Sequence, residues 1–284
     1  MSYTYKATGI ILKGKPLGES DRLLTILTSE YGIIQAIAPD ARKQNSLLRG
    51  RSEIFVVNDL LLTKGRSLDK IAQADIITTY SGLSKHFPKL VMGQYLAELT
   101  LYLALSEQPQ SEIFEILTEH LRRLEKLPNT HNQTTTSLDM IALVTQGVFH
   151  LLAIAGICPQ VYQCCLSQTS ISANFADPAW EVGFSFESGG LINLSPKVLE
   201  SNLKPIKINY KLGVAELTLL QQLAQKNLQG IKEIFPENFS LESLEISWMK
   251  IERILRNYSQ HSLNCQFRSA PLIEQLYQSS VSSN

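Results

Sequence analysis

The chain has 284 residues, 44% of them hydrophobic and 18% charged, which provides for a buried core and excludes global disorder. Its 26 Lys and Arg balance 26 Asp and Glu, so a uniformly basic, histone-like protein is excluded, whereas a local basic groove is not. No run of eighteen apolar residues occurs, so no membrane span is expected.

The first eighty residues hold eleven Lys/Arg against eight Asp/Glu, and the remainder fifteen against eighteen. Five strands are expected in this leading stretch, near 6–13, 22–28, 32–38, 53–63 and 70–79. They are rich in Ile, Val, Leu and Thr and are separated by Gly, Pro, Asp and Asn. The short apolar runs Ile10–Leu12, Ile33-Ile34 and Ile54–Val57 fit a small barrel that buries most of each strand. On strand count alone, an oligonucleotide/oligosaccharide-binding (OB) barrel and an SH3-like barrel fit equally well.

Between the third and fourth strands runs an acid-free basic stretch, expected to be a mobile loop, with Arg42, Lys43, Arg49 and Arg51. Lys13, Lys15 and Arg22 flank the first turn, Gly18-Glu19-Ser20-Asp21, and Lys64 with Arg66 sits in the last hairpin. Cations suit phosphate because they stay charged and release condensed counterions on binding. These nine residues are the candidate phosphate-binding set; the alternative is an ordinary solvated loop. The stretch has no Trp, and its aromatics are Tyr3, Tyr5, Tyr31, Phe55 and Tyr80. Base stacking on exposed rings is therefore expected to be minor, and binding to run mostly through phosphates.

From Lys85 the hydrophobic period changes to that of helices. Stripes at Leu90, Met92, Leu96, Leu99 and Leu103, and at Ile113, Ile116, Leu117, Leu121 and Leu124, mark two of them, the second closed by Pro128. A polar connector at 129–137 precedes a third helix, near 138–155, that is apolar nearly all round. Residues 156–196 read as irregular, with strand-like pieces at 170–175 and 182–187. Further helices are expected near 213–228, 240–260 and 270–279.

Catalysis finds little support. Gly9-Ile10-Ile11-Leu12-Lys13-Gly14-Lys15 matches most of the phosphate-loop pattern, but Pro16 stands where a magnesium-binding hydroxyl belongs. His86, His120, His131, His150 and His261 are scattered, and His150 reads as a satisfied core residue. Of the four cysteines, Cys164 and Cys165 are adjacent, and Cys158 and Cys265 complete no paired ligand spacing. No catalytic residue and no metal ligand is assigned, and no cofactor is expected.

In their order, Gly9–Leu12, Gly18-Glu19-Ser20-Asp21-Arg22, Tyr31-Gly32, Ala41-Arg42-Lys43 and Leu47-Leu48-Arg49-Gly50 resemble the amino-terminal domain of RecO, the bacterial recombination mediator. Tyr95–Leu99, Gly156–Pro159 and the tail Ile254–Leu276 are similar to later parts of that family. The resemblance, not the strand count, implies an α+β chain: a five-stranded OB-fold barrel over 1–80, then a helical domain over 81–284. Within the helical domain it implies a degenerate zinc-finger-like insert at 156–196. Many members carry four zinc-binding cysteines there; only Cys164 keeps a ligand-like position, with Ser167 and Asn193 where further cysteines belong, so zinc is not expected.

The resemblance further implies a non-enzymatic role in recombination and DNA repair. It would bind single- and double-stranded DNA, anneal complementary strands and assist loading of RecA onto strands coated by single-stranded-DNA-binding protein (SSB). Implied partners are RecR and the acidic C-terminal tail of SSB, with Arg122, Arg123 and Lys126 as edge charges for the tail. With no apolar signal core after the opening Met-Ser-Tyr-Thr-Tyr-Lys, a cytoplasmic, nucleoid-associated location is expected. The rivals are a protein–protein adaptor whose barrel has lost DNA binding and a nucleotide-dependent enzyme using Gly9–Lys15.

Overall fold

A computed structural model describes residues 3–129, 133–177, 179–200, 205–228, 235 and 240–281. Residues 130–132 of the expected polar connector, His131 among them, lie outside these. The chain forms two compact units, Met1–Lys126 and Leu127–Asn284.

In the first unit, β1 (Thr4–Leu17), β2 (Asp21–Thr28), β3 (Gly32–Ala38), β4 (Val56–Thr63) and β5 (Asp69–Thr79) close into a barrel in the order β1-β2-β3-β5-β4. β1 is long enough to pair antiparallel with both β2 and β4, and a short parallel pairing, Ala36 with Asp69 and Ile37 with Lys70, shuts the barrel between β3 and β5. Its interior is narrow, and the core reflects that: Ala7, Ala36, Ala38, Ala41 and Ala74 alternate with Ile11, Leu24, Ile26, Leu60, Leu62 and Ile71. The fourth strand begins at Val56, not at the expected position 53, because buried Phe55 adopts a left-handed conformation (φ 64°) that breaks the extended run.

The compact unit extends past the expected boundary at residue 80. After a 3₁₀ turn, Ser81–Lys85, helices α2 (Phe87–Leu103) and α3 (Ser111–Lys126) belong with the barrel. The stretch joining them is tied to the β2–β3 turn: the Ile33 N–H donates to Leu105 O at 2.9 Å, and the Gln110 N–H to Ser29 O at 2.8 Å. Gly32 is needed there twice over. Its φ is +65°, and a Cβ would fall 1.9 Å from Leu105 O. On α2, Gly93 lets the Phe55 ring approach to within 3.3 Å of where a Cβ would stand.

In the second unit, α4 (Gln133–Ile154) starts inside the expected connector and packs on α7 (Leu241–Ser262). Buried Gln146 donates to Gln225 O at 2.8 Å, and the His150 ring meets Leu223 O at 2.8 Å, so both polar groups on this apolar helix are satisfied. Within the stretch expected to be irregular, 156–196, the strand-like piece at 182–187 is β6 (Val182–Ser185), which pairs with β7 (Gly190–Ile192) and, beyond the stretch, with β8 (Tyr210–Leu212) in a small sheet ordered β7-β6-β8. The strand-like piece at 170–175 is not a strand. Only Ser170 bridges, to Gln163, and Asn174 turns the chain by accepting from the Ala176 N–H. Helices α5 (Pro196–Glu200), α6 (Val214–Gln222) and α8 (Ala270–Val281) complete the unit. No helix among the described residues is long and apolar enough to cross a membrane.

Candidate nucleic-acid interface

The connection between β3 and β4, expected to be a mobile loop, is closed by hydrogen bonds and a short helix. Helix α1 (Leu48–Arg51) occupies its second half, and Leu48 packs against the barrel core. The first half is pinned to the β1–β2 turn. The Arg42 N–H donates to Ser20 O at 2.8 Å, the Arg42 guanidinium to Gly18 O and Glu19 O at 3.0 and 3.1 Å, and the Asp40 N–H to Asp21 Oδ1 at 2.8 Å. Further on, Asn58 Nδ2 donates to Arg51 O at 3.0 Å. Polar side chains and carbonyls spread along Gly18–Asp21 supply these anchors. The motif therefore folds the loop, and its residues need not themselves touch a ligand.

The stitching ties Arg22, Arg42, Lys43, Arg49 and Arg51 together through the loop and α1, and these five with Lys13 and Lys15 of β1 fall into two classes. Lys13 and Lys15 sit two apart on β1 and share a side of the strand, opposite Gly14, whose position faces Leu24 and Ser52. Both are exposed, as is Arg49, and among the described residues none of the three has an ion pair. The other four are engaged. Arg22 is half-buried and donates to Glu53 at 2.8 Å and to Ser52 Oγ at 3.2 Å. Arg42 braces the turn carbonyls. Lys43 pairs with Asp40 at 2.6 Å, and Arg51 lies 3.6 Å from Asp75. The hydrogen bond from Lys43 holds the Asp40 carboxyl below its usual range, and Asp40 raises Lys43 in turn. Exposed pairs of this kind are weak and screened by solvent, so a phosphate can exchange for either carboxylate.

Lys64 and Arg66 are not joined to this loop by any hydrogen bond or ion pair among the described residues. Lys64 is 3.5 Å from Asp69, which also accepts from the Tyr5 hydroxyl, and its ammonium stands 5.9 Å from the Tyr5 ring centre. Burial, with Asp69 adding to it, raises the Tyr5 pKa. A cation missed in the sequence is Lys70, exposed and within electrostatic reach of Asp40. Only the parallel pairing of β3 with β5 brings it there, and no local pattern announces that pairing. Asp75, the partner of Arg51, also lines a cleft that carries Glu30 and Asp59 against Lys6, and the charge of that cleft repels phosphate.

The near-match to a phosphate loop, Gly9–Lys15, lies wholly within β1, its Ile10 and Ile11 fully buried. An extended strand cannot turn its N–H groups onto a phosphate. Arg122 and Arg123 both clamp Glu119, at 2.7 Å each.

The sequence models of two family halves match most of the chain: "Recombination protein O N terminal" over residues 1–80 and "Recombination protein O C terminal" over 85–270. The chain belongs to the RecO family. Curated relatives named DNA repair protein RecO include those of Gloeothece citriformis, at 57% identity over 97% of this chain and 98% of the relative. That of Trichodesmium erythraeum is 48% identical over 96% and 95%, and that of Gloeobacter violaceus 38% over 95% and 93%.

For a RecO-family chain the cysteine region asks whether zinc fits. Cys164, Ser167 and Asn193 do converge: buried Cys164 Sγ accepts from the Asn193 N–H at 3.3 Å. Burial opposes ionisation of this thiol, but the Asn193 N–H and the Ser167 hydroxyl and N–H outweigh it and lower its pKa. Burial pushes the Cys158 thiol up to about 12 and raises Cys165 as well. One sulfur, one hydroxyl and one backbone N–H do not make a zinc ligand set. Among the described residues, no three His, Cys, Asp or Glu side chains gather to hold a metal.

Proposed function

We propose that this protein acts in DNA repair and recombination as a non-enzymatic mediator. Its barrel, an OB fold in our reading, binds single- and double-stranded DNA through phosphates and anneals complementary strands. The observation that carries the proposal is the stitched basic loop, held by Arg22 and Arg42, with Arg49 on it and Lys13 and Lys15 on β1 exposed and without ion pairs among the described residues. Annealing requires that charge be neutralised on two strands without base-specific grip, and a surface of Lys and Arg with few exposed rings meets that need. Assistance to RecA on SSB-coated strands, and contacts with RecR and the SSB tail, follow from the family relationship.

The test is strand annealing, with and without SSB, by the full chain and by the variant Lys13→Gln/Lys15→Gln/Arg49→Gln. The wild type should accelerate annealing and the variant should not. The log–log salt slope for single-strand affinity should fall by about 2 in the variant, at about 0.7 per phosphate contact. Unchanged affinity and slope would remove the site, and absence of any DNA binding by the wild type would leave the adaptor reading.

A further inference from the structure

Beside the basic loop lies an open groove of about 440 Å³, within the range of small-molecule clefts, between the segment Pro39–Leu48 and residues Ala72–Ala74 of β5. Its walls include Pro39, Leu47, Ala72 and Ala74, and its rim carries Lys43 and Arg51. Leu47 is 78% exposed, whereas its neighbour Leu48 is packed on the barrel core. Burying Leu48 sets the orientation of α1, and that orientation leaves Leu47 projecting among cations. A large aliphatic side chain held in water between Lys43 and Arg49 gains nothing from the fold. It gains if an apolar ring covers it.

We propose that this groove takes an unstacked base of single-stranded DNA, with Leu47 against the ring face and the flanking phosphates on Arg49 and Arg51. The inference rests on the DNA-binding reading above and deepens it. Phosphate charge complements the rim, and the amide of Asn45, which makes no side-chain hydrogen bond among the described residues, lies in the same lining to meet a base edge. Aliphatic side chains serve elsewhere as wedges against bases in this way. A base inside a duplex cannot enter, so the groove favours single strands without choosing among sequences.

The experiment compares the affinity of the full chain for an oligothymidylate strand and for an abasic strand of equal length and charge, at one salt concentration. The wild type should bind the base-bearing strand at least about fivefold tighter, the lower end of what one base contact gives. Leu47→Ser should erase most of that difference and leave the abasic affinity and the salt slope unchanged; at so exposed a position it does not threaten the fold. Equal affinity of the wild type for the two strands would overturn the groove alone. So would a base preference that Leu47→Ser leaves intact. Binding to neither strand would overturn the DNA-binding reading and the groove together.

Discussion

Cys164 keeps a ligand-like position while Ser167 and Asn193 depart from a metal-binding plan, and hydrogen bonds explain what holds the turn. Its sulfur lies buried and accepts from the Asn193 N–H, while its own carbonyl accepts the Gln168 N–H at 2.9 Å and its N–H reaches Thr169 O at 2.9 Å. These bonds close the turn that a zinc ion would otherwise clamp. Cys164→Ala should therefore lower stability by about 1–2 kcal/mol, through a lost acceptor and a small cavity. A chelator should leave the melting temperature of the wild type unchanged. Differential scanning calorimetry reads both, and a chelator-induced drop would show that a metal holds the turn after all.

At the scale of elements, the β3–β4 connection shows what can and cannot be read from a sequence. Strand positions were legible because apolar, β-branched runs bounded by turn residues are local signals: the expected 22–28 and 32–38 compare with Asp21–Thr28 and Gly32–Ala38 in the structure. The basic residues of the connection were legible by composition. Their division of labour was not, because it depends on contacts between residues some 18 to 30 positions apart, such as Arg42 with Gly18 and Glu19 or Arg22 with Ser52. Nor was the packing of α2 and α3 with the barrel, since amphipathic periodicity says that a face is buried and not against what. The brace on Arg42 has a measurable consequence. Arg42→Lys keeps the charge but loses the planar fork that reaches two carbonyls. Amide exchange at Ser46 and Arg49 should quicken, and single-strand affinity should fall about two- to fivefold with an unchanged salt slope. A fall in slope of about 0.7 would instead make Arg42 a direct phosphate contact.

For the molecule as a whole, the charges bear on stability as well as on binding, and in each unit a described carboxylate is held far below its usual range. In the first, the Arg122 hydrogen bond, with Arg123 adding to it, holds Glu119 at about 2. In the second, Arg253 and then Arg256 hold Glu274 at about 2, with contacts of 2.7 and 2.5 Å. Fully buried Glu252 moves the other way. Desolvation raises it, and the Arg256 guanidinium, bonded to both carboxylate oxygens at 2.9 and 3.2 Å, opposes that rise. A carboxylate whose folded pKa lies below its unfolded value stabilises the fold above the unfolded value, near 4.5, and loses that contribution as pH falls towards about 2. Both units should thus weaken over the same acidic window while remaining insensitive to these groups between pH 6 and about 8. Glu274→Gln should cost about 1–2 kcal/mol at neutral pH, solvent screening of the partly exposed pair having been discounted. It should also flatten the acid limb, so that the variant and wild-type curves converge as pH approaches about 2. Urea denaturation at intervals from pH 7 to about 3 measures this, and curves that run parallel throughout would mean that Glu274 is not the carboxylate that couples this unit to pH.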